Sequence, residues 1–208
     1  MPRKWSTVYT KAWRLEPSPV QRMKAITTLL LPGWHNSGPD HWQSHWERAY
    51  GYGRVAEHDW QRPLRGDWLI QLEEAVLASA APVVLVAHSL GCLQVAAWAA
   101  NTAQAHRVQA AMLVAPADVE REDLRQQLPS WAPIARQRLP FLAVLLASRN
   151  DPYCSQDAAQ ALARSWGADY QDMGALGHLN AESGLGAWPQ GHHVLKALQS
   201  GVATQQAA

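Results

Sequence analysis

Short apolar runs, each closed by a turn and most followed by a helical pattern, recur through this chain and leave it few possible folds. The run Ile26 to Leu31 stops at Pro32-Gly33, Val83 to Ala87 at His88-Ser89, Ala110 to Ala115 at Pro116, and Phe141 to Ala147 at Ser148. Strands that are apolar along their whole length, rather than at alternate positions, belong in a parallel sheet buried on both faces. Weaker strands are expected from Arg54 to Asp59 and near Tyr170 to Met173. Helical patterns fall at Asp40 to Tyr50, Leu90 to Ala100, Gln156 to Trp166 and Gly191 to Gln199. Another, Trp68 to Ser79, places Leu69, Leu72, Val76 and Leu77 on one side. The expected fold is α/β: a doubly wound, mainly parallel sheet with helices on both faces. Between Pro116 and Pro140 a polar, proline-punctuated segment reads as a crossover helix or a short cover, too short for a large cap domain.

The chain of 208 residues suits one domain of that kind. Its body is expected at residues 23–200. Residues 1–22, with Trp5, Trp13, three prolines and no periodicity, read as a poorly ordered extension, with Met23 as the functional start. A docking arm is the alternative for that segment. Residues 201–208 read as a flexible tail. The net charge of +1 supplies no field to gather nucleic acid or an acidic membrane surface. No apolar leader core precedes Met23, and the longest apolar run, Ala80 to Ala87, is interrupted by Pro82, so no membrane segment is expected. Two cysteines, Cys92 and Cys154, cannot build a disulfide framework and favour a reducing, cytoplasmic setting.

Chemistry concentrates where Val83 to Val86 runs into Ala87-His88-Ser89-Leu90-Gly91 and then a helix-like stretch. A serine hydroxyl needs a general base for its proton and donors for the oxyanion. A sharp strand-to-helix turn with small outer residues, G-x-S-x-G, is one way of presenting it. Gly91 fits that pattern, and Ala87 departs from it by one Cβ. A serine at a helix start can also be merely a cap. The partners decide the matter, because they follow in the order serine, acid, histidine. Asp151 lies just beyond the strand Phe141 to Ala147, and His178 lies in the Gly177-His178-Leu179-Asn180 loop after the last strand. Catalytic groups gather at this edge of α/β sheets. Asp118, Asp157 and Asp172 are weaker candidates for the acid. The backbone N–H groups of Leu90 and Trp34 are the expected oxyanion donors, Gly33 allowing close approach. Trp34, His88 and Trp60 are expected to touch substrate.

Several blocks resemble the compact serine hydrolases related to retinoblastoma-binding protein 9 and the bacterial YdeN proteins. They are Leu31-Pro32-Gly33-Trp34 with Ser37-Gly38-Pro39-Asp40-His41-Trp42, Asp59-Trp60 with Pro63, His88-Ser89-Leu90-Gly91, Ser148-Arg149-Asn150-Asp151-Pro152-Tyr153, and Gly177-His178-Leu179-Asn180. The resemblance implies a minimal α/β-hydrolase fold with Ser89, Asp151 and His178 as triad, and a function of hydrolysis. The expected substrate is a small ester or related acyl compound, with amide cleavage left open. The competing reading is a catalytically weak interaction module that works through a Trp-rich surface. Eleven Trp against one Phe is lopsided, and five of them (Trp34, Trp42, Trp46, Trp60, Trp68) fall within 35 residues, where a pocket wall is expected; Trp42, Trp46, Trp60 and Trp68 each read as core more readily than as ligand platform, with at least one of them expected to line the site. No metal or cofactor is expected. His41 and His45 have helical ligand spacing, but Trp42 stands where the metalloprotease pattern needs glutamate. His192-His193 reads as a solvated pair.

Overall fold

The computed structural model describes residues 26–207, so the extension read at residues 1–22, and its docking-arm alternative, lie outside the described residues. Six parallel strands form one sheet in the order β2-β1-β3-β4-β5-β6. They are β1 (Thr27–Leu31), β2 (Gly53–Arg54), β3 (Val83–His88), β4 (Val108–Val114), β5 (Leu142–Ala147) and β6 (Asp169–Asp172). The helices are α1 (Trp42–Tyr50), α2 (Arg65–Ala78), α3 (Leu90–Ala99), α4 (Glu122–Gln127), α5 (Gln156–Trp166) and α6 (Pro189–Ala207). The chain steps outward from β1 to β2, then returns past β1 to β3. The winding therefore reverses between β1 and β3, and loops leaving the carboxyl ends of these two strands part to leave a crevice.

Alternate residues of the buried strands feed two separate cores. Leu29, Leu31, Leu85, Ala87, Leu113 and Leu145 face α2, α3 and α5. Leu30, Val84, Val86, Met112, Val114 and Leu146 face α1 and α6, where Trp42, Trp46 and Trp188 fill the space. This two-sided burial is what makes the strands apolar at every position.

Several boundaries differ from the sequence reading. β2 is two residues long instead of the run Arg54 to Asp59: after Val55 N–H donates to the Leu30 carbonyl at 2.9 Å, the chain leaves the sheet edge. α2 begins at Arg65 and its buried stripe is Trp68, Leu72 and Val76, while Leu77 is exposed. α6 begins at Pro189 and continues to Ala207. His192 is not a free solvated side chain. It stacks on Tyr50 at 3.9 Å and its Nε2 lies 2.9 Å from the Tyr52 hydroxyl, and burial holds its pKa below the ordinary histidine value.

The tryptophans mostly serve the core. Trp42, Trp46, Trp68, Trp98, Trp131, Trp166 and Trp188 are fully buried, which fits the core reading of Trp42, Trp46 and Trp68 and not a pocket wall built from them. A buried indole N–H needs an acceptor, and most of these find a main-chain carbonyl in a loop. Trp42 donates to Leu179, Trp46 to Ala187, Trp68 to Asp59, Trp131 to Pro63 and Trp166 to Ala135, over distances of 2.7 to 3.2 Å. Each ring thus fills core volume and ties down a loop.

One buried carboxyl sits between β2, α2 and α3. The Gln94 amide donates to Glu57 Oε1 at 2.8 Å and to the Trp68 carbonyl at 2.7 Å. Burial, partly offset by the Gln94 bond, pushes the Glu57 carboxyl up to about 8, so at neutral pH it keeps its proton. Glu57 Oε2 and Gln94 Oε1 are otherwise without partners among the described residues, and a proton on Oε2 supplies the missing donor. The folded protein therefore holds a proton that the unfolded chain releases above its ordinary 4.5, so this group's stabilisation is complete below that value and is lost as pH rises to about 8. Glu57→Gln keeps the donor at every pH. The wild-type melting temperature should fall relative to this variant between about pH 5 and 8; parallel profiles would show that Glu57 is not the protonated group.

Candidate active site

Ser89 occupies the turn between β3 and α3 with φ 53° and ψ −119°, a conformation rarely populated by side-chain-bearing residues. Its N–H donates to the Val114 carbonyl at 2.9 Å, continuing the β3-β4 ladder through the turn. Two glycines let this turn settle against the end of β1. A Cβ on Gly91 would lie 2.5 Å from the Leu31 carbonyl oxygen and 2.8 Å from that of Pro32; one on Gly33 would lie 2.7 Å from Ser89 Cβ. The small residue at 91 is needed for this approach to β1. Ala87, the departure from the motif, sits fully buried in β3 opposite Leu31 and Leu113, where a methyl group is accommodated.

β5 and the loop after β6 bring the other two groups. Ser89 Oγ lies 2.9 Å from His178 Nε2, and His178 Nδ1 lies 2.9 Å from both Asp151 oxygens. The His178 and Asp151 side chains are 8% and 3% exposed, so this pair is shielded from water on most sides. Asp118, Asp157 and Asp172 are elsewhere: Asp118 caps its own loop, Asp157 begins α5, and Asp172 pairs with Arg149 at 2.7 Å. Residues not singled out in the sequence reading hold the acid and histidine loops together. Asn150 Oδ1 accepts from the Gly177 N–H at 2.8 Å, and Ser148 Oγ accepts from the Leu176 N–H at 2.8 Å while donating to Asn150. Their signal in the sequence was their place in the Ser148 to Tyr153 block around Asp151.

A cavity of about 590 Å³ opens over Ser89. The loop after β1 supplies Trp34, His35, Asn36 and Gly38; α4 and its flank supply Asp123, Leu124, Gln127 and Leu128; Tyr153 and Asn180 to Glu182 complete the rim. The segment between Pro116 and Pro140 therefore serves as a short cover. Trp34 is half-buried at the cavity, its indole donating to the Gln61 carbonyl at 3.0 Å. Trp60 packs against Trp68 at 5.4 Å and does not line the cavity, which corrects its expected contact with substrate. His88 reaches the cavity wall but is 5% exposed, and its Nε2 is engaged by the His178 carbonyl at 2.9 Å. That donor is not free for a substrate.

His41 and His45 do not converge. His41 is the N-cap of α1, its Nδ1 accepting from the Gln43 N–H, whereas His45 Nδ1 meets Arg48. Burial, reinforced by the charges of Arg54, His178 and His45, pulls His41 down to about 3, so its ring is neutral. Arg54 clamps the neighbouring loop by donating to Asn36 Oδ1 at 2.7 Å, the Ser37 carbonyl at 2.9 Å and Ser44 Oγ at 2.7 Å.

A six-stranded, wholly parallel sheet wound by helices, with a strained serine at the winding reversal and only a short cover, defines an α/β hydrolase without a large cap. Residues 28–197 match the family model described as serine hydrolase, and the chain belongs to that family, the one its sequence blocks resemble. A YdeN-like hydrolase from Pectobacterium atrosepticum is 30% identical, with a TM-score of 0.75 over 85% of this chain and 92% of that one. The ydeN gene product from B. subtilis is 19% identical, with a TM-score of 0.68 over 85% of this chain and 100% of that one. Est1E from Butyrivibrio proteoclasticus shares the fold at 11% identity, with a TM-score of 0.63 over 90% and 91% of the two chains. No curated protein sequence matches.

Because the atoms facing Gly91 are main-chain carbonyls that cannot swing aside, Gly91→Ala should destabilise the protein by about 1–3 kcal/mol, the usual range for overpacking. Urea denaturation measures it; an unchanged midpoint would mean that the β1 end yields freely.

Proposed function

We propose that the protein is an ester hydrolase acting on small acyl substrates, with Ser89 as nucleophile, His178 as general base and Asp151 as the acid that orients it. The observation that carries this reading is the continuous line of 2.9 Å contacts from Ser89 Oγ through His178 to Asp151. Asp151 on Nδ1 leaves Nε2 as the nitrogen that takes the serine proton. Ser89 Oγ then attacks the acyl carbonyl, the Ser89 proton passes through His178 to the leaving alcohol, and water releases the acyl group by the same route in reverse.

The oxyanion that forms needs donors already in place. Leu90 is the first residue of α3, so its N–H has no acceptor within the helix and faces the turn. The Trp34 N–H is the second donor in this reading, supported by the close packing of Gly33 on Ser89. The walls combine the half-buried Trp34 and the exposed Tyr153 with Leu124 and Leu128, a surface suited to a partly apolar acyl or alcohol group. A cytoplasmic setting goes with this reading, supported by two buried free thiols. Among the described residues no helix is long and apolar enough to cross a membrane.

Ser89→Ala and His178→Ala should each lower the turnover of a short p-nitrophenyl ester by at least about a thousandfold with melting temperature retained. A fluorophosphonate probe should label the wild type and not Ser89→Ala. Folded wild-type protein that neither labels nor hydrolyses any ester would favour the interaction-module reading instead. Trp34→Ala should raise KM for such esters, whereas Trp60→Ala should lower the melting temperature and leave KM alone. The reverse pattern would reassign the pocket wall.

A further inference from the structure

The mechanism above leaves His88 without a task, although it is a buried polar residue directly preceding the nucleophile. Its ring Nε2 lies 2.9 Å from the main-chain carbonyl of His178, and the two rings are 4.8 Å apart. We propose that His88 is a positioning residue: its Nε2–H holds the His178 carbonyl and thereby fixes the His178 imidazole over Ser89, an inference that rests on the triad reading.

Three observations support the assignment. First, a carbonyl oxygen only accepts, so the Nε2 facing it must carry the proton, and the tautomer of His88 is set by this contact. Second, the ring is neutral. Burial, reinforced by the neighbouring His41 and His178, holds its pKa well below the ordinary histidine value. An uncharged donor grips the carbonyl without opposing the positive charge that His178 gains each time it takes the serine proton; a lysine or arginine here would repel it. Third, the grip belongs to a larger clamp. The next carbonyl along, that of Leu179, accepts from Trp42 Nε1 at 2.8 Å, and Leu179 itself is held at φ 48°, a strained value for a branched side chain. Donors from β3 and α1 thus hold two successive carbonyls of the base loop.

His41 packs edge-on against His88 with the ring centroids 4.7 Å apart and supports the ring on that side. A purely space-filling role would be met by methionine or leucine, which leave the His178 carbonyl with no donor. Since His88 precedes Ser89 in the chain, one hydrogen bond ties the nucleophile's backbone to that of its base.

The test uses the full chain and compares His88→Gln, whose amide reaches the place of the ring Nε2, with His88→Asn, whose amide falls short, and with His88→Met. Three measurements are made on each: kcat and KM for a short p-nitrophenyl ester, the rate of fluorophosphonate labelling, and melting temperature. Misplacing a catalytic group by about 1 Å is enough to lose up to about a hundredfold in rate. The asparagine and methionine variants should therefore lose roughly ten- to a hundredfold in both kcat and labelling rate, with KM unchanged. His88→Gln should remain near wild type. If the methionine variant does not fold, the glutamine and asparagine pair carries the comparison. Wild-type rates in His88→Asn, or a glutamine variant as slow as asparagine, would overturn the positioning role and leave the triad standing. A wild type that neither labels nor hydrolyses would overturn both.

Discussion

The site rests on two missing side chains. Gly33 and Gly91 allow the turn after β3 to lie directly on the end of β1, with the Leu31 and Pro32 carbonyls against one glycine and Ser89 against the other. Adjacent parallel strands always end near one another, but ordinary side chains on their loops keep those ends apart. Here the gap closes to backbone contact at the point where the winding of the sheet reverses. The strained serine is therefore supported from below by β1 and laterally by the β4 carbonyl of Val114. The N–H groups at the start of α3 and the loop after β1 are brought within reach of one reacting centre.

Around this contact the loops are held by polar bonds rather than by their own length. Ser148 and Asn150 join the acid loop to the base loop; His88 and Trp42 hold the base loop from behind; Arg54 fixes the segment after Trp34. Gln43 completes the arrangement. It is fully buried, and its amide donates to both Leu31 and Val86 at 3.1 Å while its oxygen accepts from Ser37. The loops carrying Ser89, Asp151 and His178 are thus tied to groups on other elements, so a well-held arrangement arises from segments that contain little regular structure.

Much of this was legible in the residues. Strands buried on both faces announce themselves by unbroken apolar runs; Ser89 and Asp151 stood out because each follows such a run, and His178 by its glycine-flanked loop after the weaker last strand. What was hidden depends on tertiary contact. α2 begins at Arg65 with Leu64 in the cap position and no capping side chain, so its start lacked the usual cap signal. β2 ends early because Glu57 turns inward to Gln94, a buried carboxyl that looks like any surface glutamate in sequence. Trp34 and Trp60 are indistinguishable as letters; only the fold puts one at the cavity and the other on Trp68. His88 read as a substrate contact, and in the structure its Nε2 faces the His178 carbonyl at 2.9 Å instead.

The indole-to-carbonyl bonds give five of the tryptophans a second role beside filling the core. At a core position without a polar contact, a volume-conserving apolar swap costs little. Here a phenyl ring would fill part of the space but orphan a loop carbonyl at Leu179, Ala187, Asp59, Pro63 or Ala135. Ring volume and an N–H donor are thus specified together at these five positions, and an apolar side chain of similar size supplies only the first.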